Sequence, residues 1–348
     1  MGKKGINTEQ EIYSQPYIWE QTLNEISNLQ LEKPLSGNDS YQILVTGCGS
    51  TYYLSIWAAR TLQEKLSVLA HSLPASELLF SPHSWYSPNQ STQLIAISRS
   101  GTTSETVAAV KHFKNNSSIN TCAVTCYSNS ELAFLADTLI AVPAAQEKSI
   151  AQTRSFTSMM LGISYYIEQE IKEGLPEQLT SHGSLLIDKY SNLIKDIAND
   201  NNIERFFFLG SGSRYGLACE AMLKMKEMSL SYSEAYHFLE FRHGPMSMVN
   251  NHSLVIGLIG KDNKDHELQV LKDMKKLGAT TLAIGGEVGE EIPGWIDQYI
   301  PLTQNNLGLF GDVLYLPCLQ ILAFEKAISK GLDPDNPHNL TAVVVLDL

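Results

Sequence analysis

The sequence predicts an α/β protein built from two tandem copies of one unit, each a parallel sheet sandwiched by helices. Three observations carry this. Apolar runs of strand length recur along the chain, each ending in Gly, Ser or Asn and leading into a helical pattern. "GCGSTYYLSIWAA" from Gly47 and "GSGSRYGLACEAM" from Gly210 share Gly, Gly, Ser and Tyr at the same steps, 163 residues apart. The chain has 348 residues, 43% of them hydrophobic and 18% charged, which is enough for two domains with real cores.

Residues 1–25 read as an N-terminal extension. The first unit, 26–185, opens with "YQILVTGCGS" before the helical "YYLSIWAARTLQEKL". "QLIAISRSG" then precedes "TSETVAAVKHFKNN", "NTCAVTCYSNS" precedes "ELAFLA", and "TLIAVPA" follows. The polar, helix-like Leu186–Asn202 stretch joins this unit to the second, 186–330. There "RFFFLGSGS" precedes "GLACEAMLKMKEMS", "SLVIGLIG" precedes "DHELQVLKDMKKLG", and "TTLAIGG" and "QYIPLT" follow. Adding 163 to Ser98 gives Lys261, again at the end of the second apolar run, so the register is expected to survive a second strand. Residues 331–348 read as a tail.

Several function classes are disfavoured. The net charge of −12 opposes a nucleic-acid role driven by overall charge. No apolar run approaches the roughly 20 residues of a membrane helix, and the start has no signal-peptide core. Ile6 stands where myristoylation wants Ser or Thr. Five scattered cysteines argue for reduced thiols and a cytoplasmic location, with Cys122 and Cys126 as packing residues in a strand. No metal and no organic cofactor is expected. "GxGxxG" is absent after the first strand, which removes the main sign of a dinucleotide fold.

The most informative stretch is "IAISRSGTTSET", Ile95 to Thr106. An apolar run stops, five hydroxyl residues crowd around Gly101 between Ser98 and Ser104, and a helix pattern begins. A P-loop would carry a Lys here. This loop offers hydroxyls, Arg99 and the partial positive charge of a helix N-terminus, which together suit a phosphate that is held and not transferred. One capping residue would satisfy the helix, so five hydroxyls exceed that need. The second copy lacks the cluster, so one phosphate site per chain is expected.

In "KMKEMSLSYSEAYHFLEFRHGP", Glu227 follows a helical run and His243 sits in a turn signature. Read without a family, Glu227 is either a solvated helix-end carboxylate or a base, and His243 either a structural or a catalytic imidazole. Lys224 and Lys226 read as residues of a surface helix face.

Taken in order, "EIYSQP", "GCGST", "SRSGTTSET", "AQTRSFT", "LGSGSRYGLACEAMLKMKEMS" and "DPDNPHNL" resemble the sugar isomerase (SIS) domain family over nearly the whole chain. They are most similar to the isomerase half of glucosamine-6-phosphate synthase and to its stand-alone deaminase and isomerase relatives. The resemblance implies two tandem SIS domains of flavodoxin-like three-layer form. It implies that Cys48, Gly49, Ser50 and Thr51 form the first ligand loop, and that Ser98, Arg99, Ser100 and Thr103 form the phosphate loop. Arg99 stands where the synthase has Gln. Ile150 and Gln152 match a stretch lining the sugar, with Gln152 replacing a Ser. Glu227 matches the catalytic carboxylate, and His243 the ring-opening histidine that reaches in from the other subunit. The expected partners are a small sugar phosphate and a second copy of the chain in a homodimer; nucleic acid and membrane are not expected. The synthase's glutaminase domain has no counterpart here. Its C-terminal Schiff-base Lys is replaced by Ala342, which puts covalent ketose capture by the tail in doubt. The implied activity is aldose/ketose isomerisation of a hexose 6-phosphate, of the glucosamine-6-phosphate deaminase type. A fructosamine-6-phosphate deglycase, a non-catalytic sugar-phosphate sensor and a partner-binding structural subunit are the alternatives.

Overall fold

The computed structural model describes residues 4–34, 41–86, 90–116, 120–287, 289, 293–304, 306–341 and 346. Contacts divide the chain into two compact units, one of Ser14–Glu147, Gln152–Thr180 and Thr341–Leu348, the other of Met1–Tyr13, Lys148–Ala151 and Ser181–Leu340. Each is built on a five-stranded sheet whose strand pairs are all parallel.

In the first unit the strands are β1 (Tyr41–Gly47), β2 (Leu69–Pro74), β3 (Ser91–Ile97), β4 (Asn120–Thr125) and β5 (Thr138–Ala141), in the order β2-β1-β3-β4-β5. Their near-continuous burial is that of a parallel sheet covered on both faces. The helices of this unit are α2 (Gln15–Ile26), α3 (Ser50–Leu66), α4 (Ala75–Phe80), α5 (Ser104–Asn116), α6 (Glu131–Leu135) and α7 (Arg154–Glu168). One core cluster joins Leu44, Leu94 and Ala123 of the sheet to Val110 and Phe113 of α5.

The second unit begins with α1 (Ile6–Tyr13). The long α8 (Leu175–Asn199) leads into β6 (Arg205–Gly210), α9 (Arg214–Ser229), β7 (Tyr232–Tyr236), β8 (Ser253–Ile259), α10 (Lys264–Lys276), β9 (Thr280–Gly285), β10 (Gln298–Ile300) and α11 (Leu316–Ser329). The order β7-β6-β8-β9-β10 repeats that of the first sheet. Together Gly308–Ser329 are long and apolar enough to cross a membrane by length and composition, contrary to the expectation from apolar runs alone. Yet 89% of their apolar 18-residue window is buried within the protein, as in a core helix.

The repeat holds at the backbone. Gly47 and Gly210 close β1 and β6, and Gly49 and Gly212 follow with φ of 57° and 59°. A Cβ at Gly47 would lie 2.7 Å from the Thr51 carbonyl carbon, and one at Gly210 would lie 2.4 Å from the Arg214 carbonyl oxygen. Each helix therefore starts so close to its strand that only Gly fits. The register then slips. Gln42 pairs with Thr92 and its counterpart Arg205 with Ser253, so the spacing there is 161 and Ser98 aligns with Ile259, not with Lys261. A register shorter by two residues in the second copy is enough to move the match.

Gly47→Ala and Gly210→Ala are each expected to cost about 1–3 kcal/mol, the usual penalty of forcing atoms into filled space. Gly294→Ala, whose Cβ meets nothing within 4 Å, should stay within about 0.5 kcal/mol of the parent. Denaturant midpoints for the three variants check the ranking.

Candidate active site

In an open parallel sheet of this strand order, ligands sit beyond the carboxyl ends of the strands, at the point where the chain direction across the sheet reverses. In the first unit that point lies between β1 and β3, which are neighbours in the sheet. The loops that follow them are Cys48–Ser50 and Ser98–Thr103, and both lead into helices, α3 and α5.

The first loop is short and self-bonded. Thr51 Oγ1 accepts the Cys48 N–H at 2.9 Å and lies 2.9 Å from the Cys48 carbonyl oxygen. Gly49 takes the left-handed φ and Ser50 begins α3. Burial pushes the Cys48 thiol up, and the hydroxyl of Thr106 at 3.6 Å only partly offsets it. Cys48 is therefore a neutral thiol that ties this loop to α5, and not a nucleophile.

The second loop is a cradle of neutral donors. Ser98 is buried and its hydroxyl pairs with that of Thr103 at 2.9 Å, while the Gly101 N–H donates to Ser98 Oγ at 3.1 Å. Gly101 has φ 66°, and a Cβ there would lie 1.9 Å from Ser130 Oγ. Ser100 Oγ receives both the N–H and the hydroxyl of Thr102, at 3.2 and 3.0 Å. Thr103 O accepts the first turn of α5 from Val107, so the hydroxyls stand at the positive end of that helix.

Arg99 behaves differently from its neighbours. Its carbonyl oxygen is fixed by Cys126 N–H at 3.0 Å and Thr125 Oγ1 at 3.1 Å. Its guanidinium lies 3.6 Å from the carboxylate of Glu147, whose side chain is fully buried. Glu147 also accepts the N–H and hydroxyl of Thr153, at 2.8 and 2.6 Å, and the hydroxyl of Ser155. Arg99 thus brings a cation to the loop that a buried carboxylate already balances. Glu147 was not among the residues expected to matter. Gln152, on the same segment, has a buried Oε1 with no hydrogen-bond partner among the described residues.

The second unit carries Glu227 and His243, and separately Ile150 in the segment Lys148–Ala151. Glu227 lies in the last turn of α9 with its side chain 19% exposed, and it pairs with Lys224 one turn back. Lys224 is 1% exposed and sits 3.3 Å from Glu220, itself fully buried. This corrects the expectation of a surface role for Lys224. Three ionisable groups on one helix face form a Glu–Lys–Glu row, buried at Glu220 and Lys224 and partly exposed at Glu227. Burial alone would lower the Lys224 pKa, but Glu220 and Glu227 outweigh it and raise the value, so the ammonium stays charged. Lys226 instead reaches the Met222 sulfur at 3.0 Å. His243 is exposed at the end of a short turn of helix, its N–H bound to the Glu240 carbonyl at 2.9 Å.

At the equivalent reversal point of the second sheet, between β6 and β8, the space is filled by the chain itself. The guanidinium of Arg214 donates to the Leu258 carbonyl and to Glu267, both at 3.1 Å. Glu267 is 1% exposed and also accepts the Gly260 N–H at 2.8 Å. A Cβ on Gly260 would lie 2.0 Å from that guanidinium. Arg214 stands where the first copy has Thr51, at the spacing of 163. Ala342 lies outside the described residues. Among the described residues no three His, Cys, Asp or Glu side chains are grouped as a metal ion would require.

Comparison with known proteins places this geometry. Glutamine–fructose-6-phosphate aminotransferase (isomerizing) of Chlamydia abortus is 29% identical over 97% of this chain, and that of Caldanaerobacter subterraneus is 28% identical over 88%. The chain spans only 58% and 52% of the length of these two relatives. The crystal structure of glucosamine-6-phosphate deaminase from Thermotoga maritima superposes with a TM-score of 0.82 at 27% identity, covering 98% of this chain and all of that one. Tagatose-6-phosphate ketose/aldose isomerase of Escherichia coli shares the fold, with a TM-score of 0.84 at 22% identity over 98% of this chain and 96% of its own. The SIS domain pattern matches residues 38–168 and 201–294, most of both sheets, and the chain belongs to the SIS domain family.

Proposed function

We propose that the chain is a sugar-phosphate isomerase acting on a hexose 6-phosphate, of the glucosamine-6-phosphate deaminase type. The observation that carries this reading is the neutral hydroxyl cradle at the β1/β3 reversal point, formed by Ser98, Ser100, Gly101 and Thr103 at the start of α5. A phosphate held there is a handle. It supplies binding energy remote from the reacting carbons, which then need only a proton carrier. In this reading Cys48, Gly49, Ser50 and Thr51 complete the ligand loop, and Ile150 and Gln152 face the sugar.

Glu227 is the proton carrier. A ring-opened aldose gives up its C2 proton to the carboxylate and takes it back at C1, which moves the carbonyl from C1 to C2. When C2 bears an amine, the same shift yields a C2 imine, and water converts it to the ketose and ammonia. His243 serves ring opening as a group that gains and loses a proton in the neutral range. Its exposure on the single chain supports a homodimer in which it serves the neighbouring copy's site. The names of the relatives support the substrate class, with the Thermotoga deaminase, matched over its full length, favouring an aminosugar phosphate. Five free cysteines support a reducing cytoplasm. A deglycase would use the same handle and base, and product analysis separates the two.

Lys224 does not take the part of the absent C-terminal lysine. A Schiff base needs a neutral amine, and Glu220 and Glu227 hold Lys224 as an ammonium. The reaction proposed here runs on the open-chain sugar without covalent capture.

Three outcomes follow. Glu227→Gln should lower kcat by about 10²–10⁴-fold on glucosamine 6-phosphate, in an assay of ammonia and ketose release; near-parent turnover would remove Glu227 from the reaction. Mixing inactive Glu227→Gln chains with inactive His243→Ala chains should restore about a quarter of the parent activity if the site is shared in a two-fold dimer, and no recovery would place His243 in its own chain's site. Borohydride added during turnover should leave Lys224 unmodified in a peptide mass map. A reduced sugar adduct on Lys224 would overturn the non-covalent route.

A further inference from the structure

Two motifs, "EIYSQP" and "DPDNPHNL", have no part in the chemistry above, yet the structure joins them to one loop. The segment Lys148–Ala151 has no regular secondary structure, so its backbone N–H groups need partners from elsewhere. Two of them, on Lys148 and Ser149, find a single carboxylate. Glu11, in the last turn of α1 and 3% exposed, accepts the Lys148 N–H at 2.6 Å and the Ser149 N–H at 3.3 Å. It also accepts the Ser149 hydroxyl, and Ser149 is 2% exposed. Charge-assisted bonds of this kind are short and strong, and losing the acceptor would leave buried donors unpaired.

The other end of α1 is fixed in turn. Asp335 accepts the N–H of Asn7 at 3.0 Å, the N–H of Thr8 at 2.8 Å and the Thr8 hydroxyl at 2.7 Å. Asp333 accepts the Gly5 N–H at 2.8 Å. The acidic motif near the C-terminus therefore holds the start of α1, and the end of α1 holds the loop that contains Ile150.

We propose that Glu11 is a positioning residue for the reaction, fixing the loop Lys148–Ala151 against which the sugar is oriented, with Asp335 holding α1 as its anchor. This rests on the reading that Ile150 lines the sugar of a hexose phosphate. Glu11 touches neither substrate nor reacting atoms. It sets the place of residues that do, and a misplacement of about 1 Å can cost about 10²-fold in rate.

The test is Glu11→Gln in the full chain, which keeps the shape but puts an amide donor against donors. The expected result is a 10- to 100-fold loss of kcat/KM on glucosamine 6-phosphate. The Kd of glycerol 3-phosphate, which has the phosphate but no ring, should stay within twofold, because the cradle at Ser98–Thr103 is untouched. Amide exchange at Lys148 and Ser149 should become fast. Parent-like kcat/KM, slow exchange retained at both amides, or equal losses for both ligands would each overturn the assignment. Should Glu11→Gln fail to fold, Ser149→Ala removes one donor, keeps the carboxylate, and should show the same split between ligands at smaller amplitude. A parent chain inactive on every hexose phosphate would sink the enzyme reading by itself, and the exchange measurement would then decide alone whether Glu11 holds the loop.

Discussion

The structure depends on the rule that a charge taken out of water must be met by partners in place. Among the buried carboxylates, Glu11, Glu147, Glu220 and Glu267 obey it here. Three of them are met largely by loop groups, so the same bonds that neutralise the charge also fix irregular backbone. Glu147 binds Thr153 and Ser155 at the start of α7 and draws Arg99 inward. Glu267 binds the Gly260 amide and Arg214. Glu11 binds the Lys148 and Ser149 amides. Loops on a parallel sheet are where chemistry is placed, and these loops are tied down by charge-assisted hydrogen bonds.

The two copies show how one backbone takes two fates. Both begin with a strand, a Gly that admits the helix, and a Gly with left-handed φ. In the first copy Thr51 is small, closes on its own loop, and leaves the crevice to the hydroxyls that follow β3. In the second copy Arg214 occupies the matching position and reaches across to Glu267. A guanidinium and a carboxylate fill the space that elsewhere would receive an anion. Once the crevice is filled, hydroxyls after β8 have no ligand to meet, and the loop there reads "GKDNKD".

Much of this was legible in the sequence. Alternating apolar runs and helical patterns gave four strands of each sheet and their parallel order, but not the edge strands β2 and β7, whose burial is broken. The glycines gave the two turns, because only Gly tolerates the contacts at Gly47 and Gly210. What stayed hidden depends on partners far apart in the chain or on burial. "KMKE" reads as a solvated helix face, and nothing local says that Lys224 is covered. Arg99 reads as a residue of the phosphate loop, and nothing local says that Glu147 stands beside its guanidinium. Glu11 meets Ser149 across 138 positions, and Thr8 meets Asp335 across 327. The register match from Ser98 to Lys261 was off by two, because an apolar run marks a strand's interior better than its end.

The Glu220–Lys224–Glu227 row bears on the kind of chemistry open to the chain. Lys224 sits between the two carboxylates, and their pull keeps it protonated. An ammonium in hydrogen-bond contact with Glu227 fixes where the carboxylate points, which is what a base moving one proton between adjacent carbons requires. The same ammonium cannot attack a carbonyl while both carboxylates hold it. A lysine placed to orient a base is therefore lost as a nucleophile, and a chain that uses Lys224 this way must obtain its open-chain substrate by ring opening alone. In the function proposed above, that requirement puts the demand on a proton shuttle, the part given there to the exposed His243.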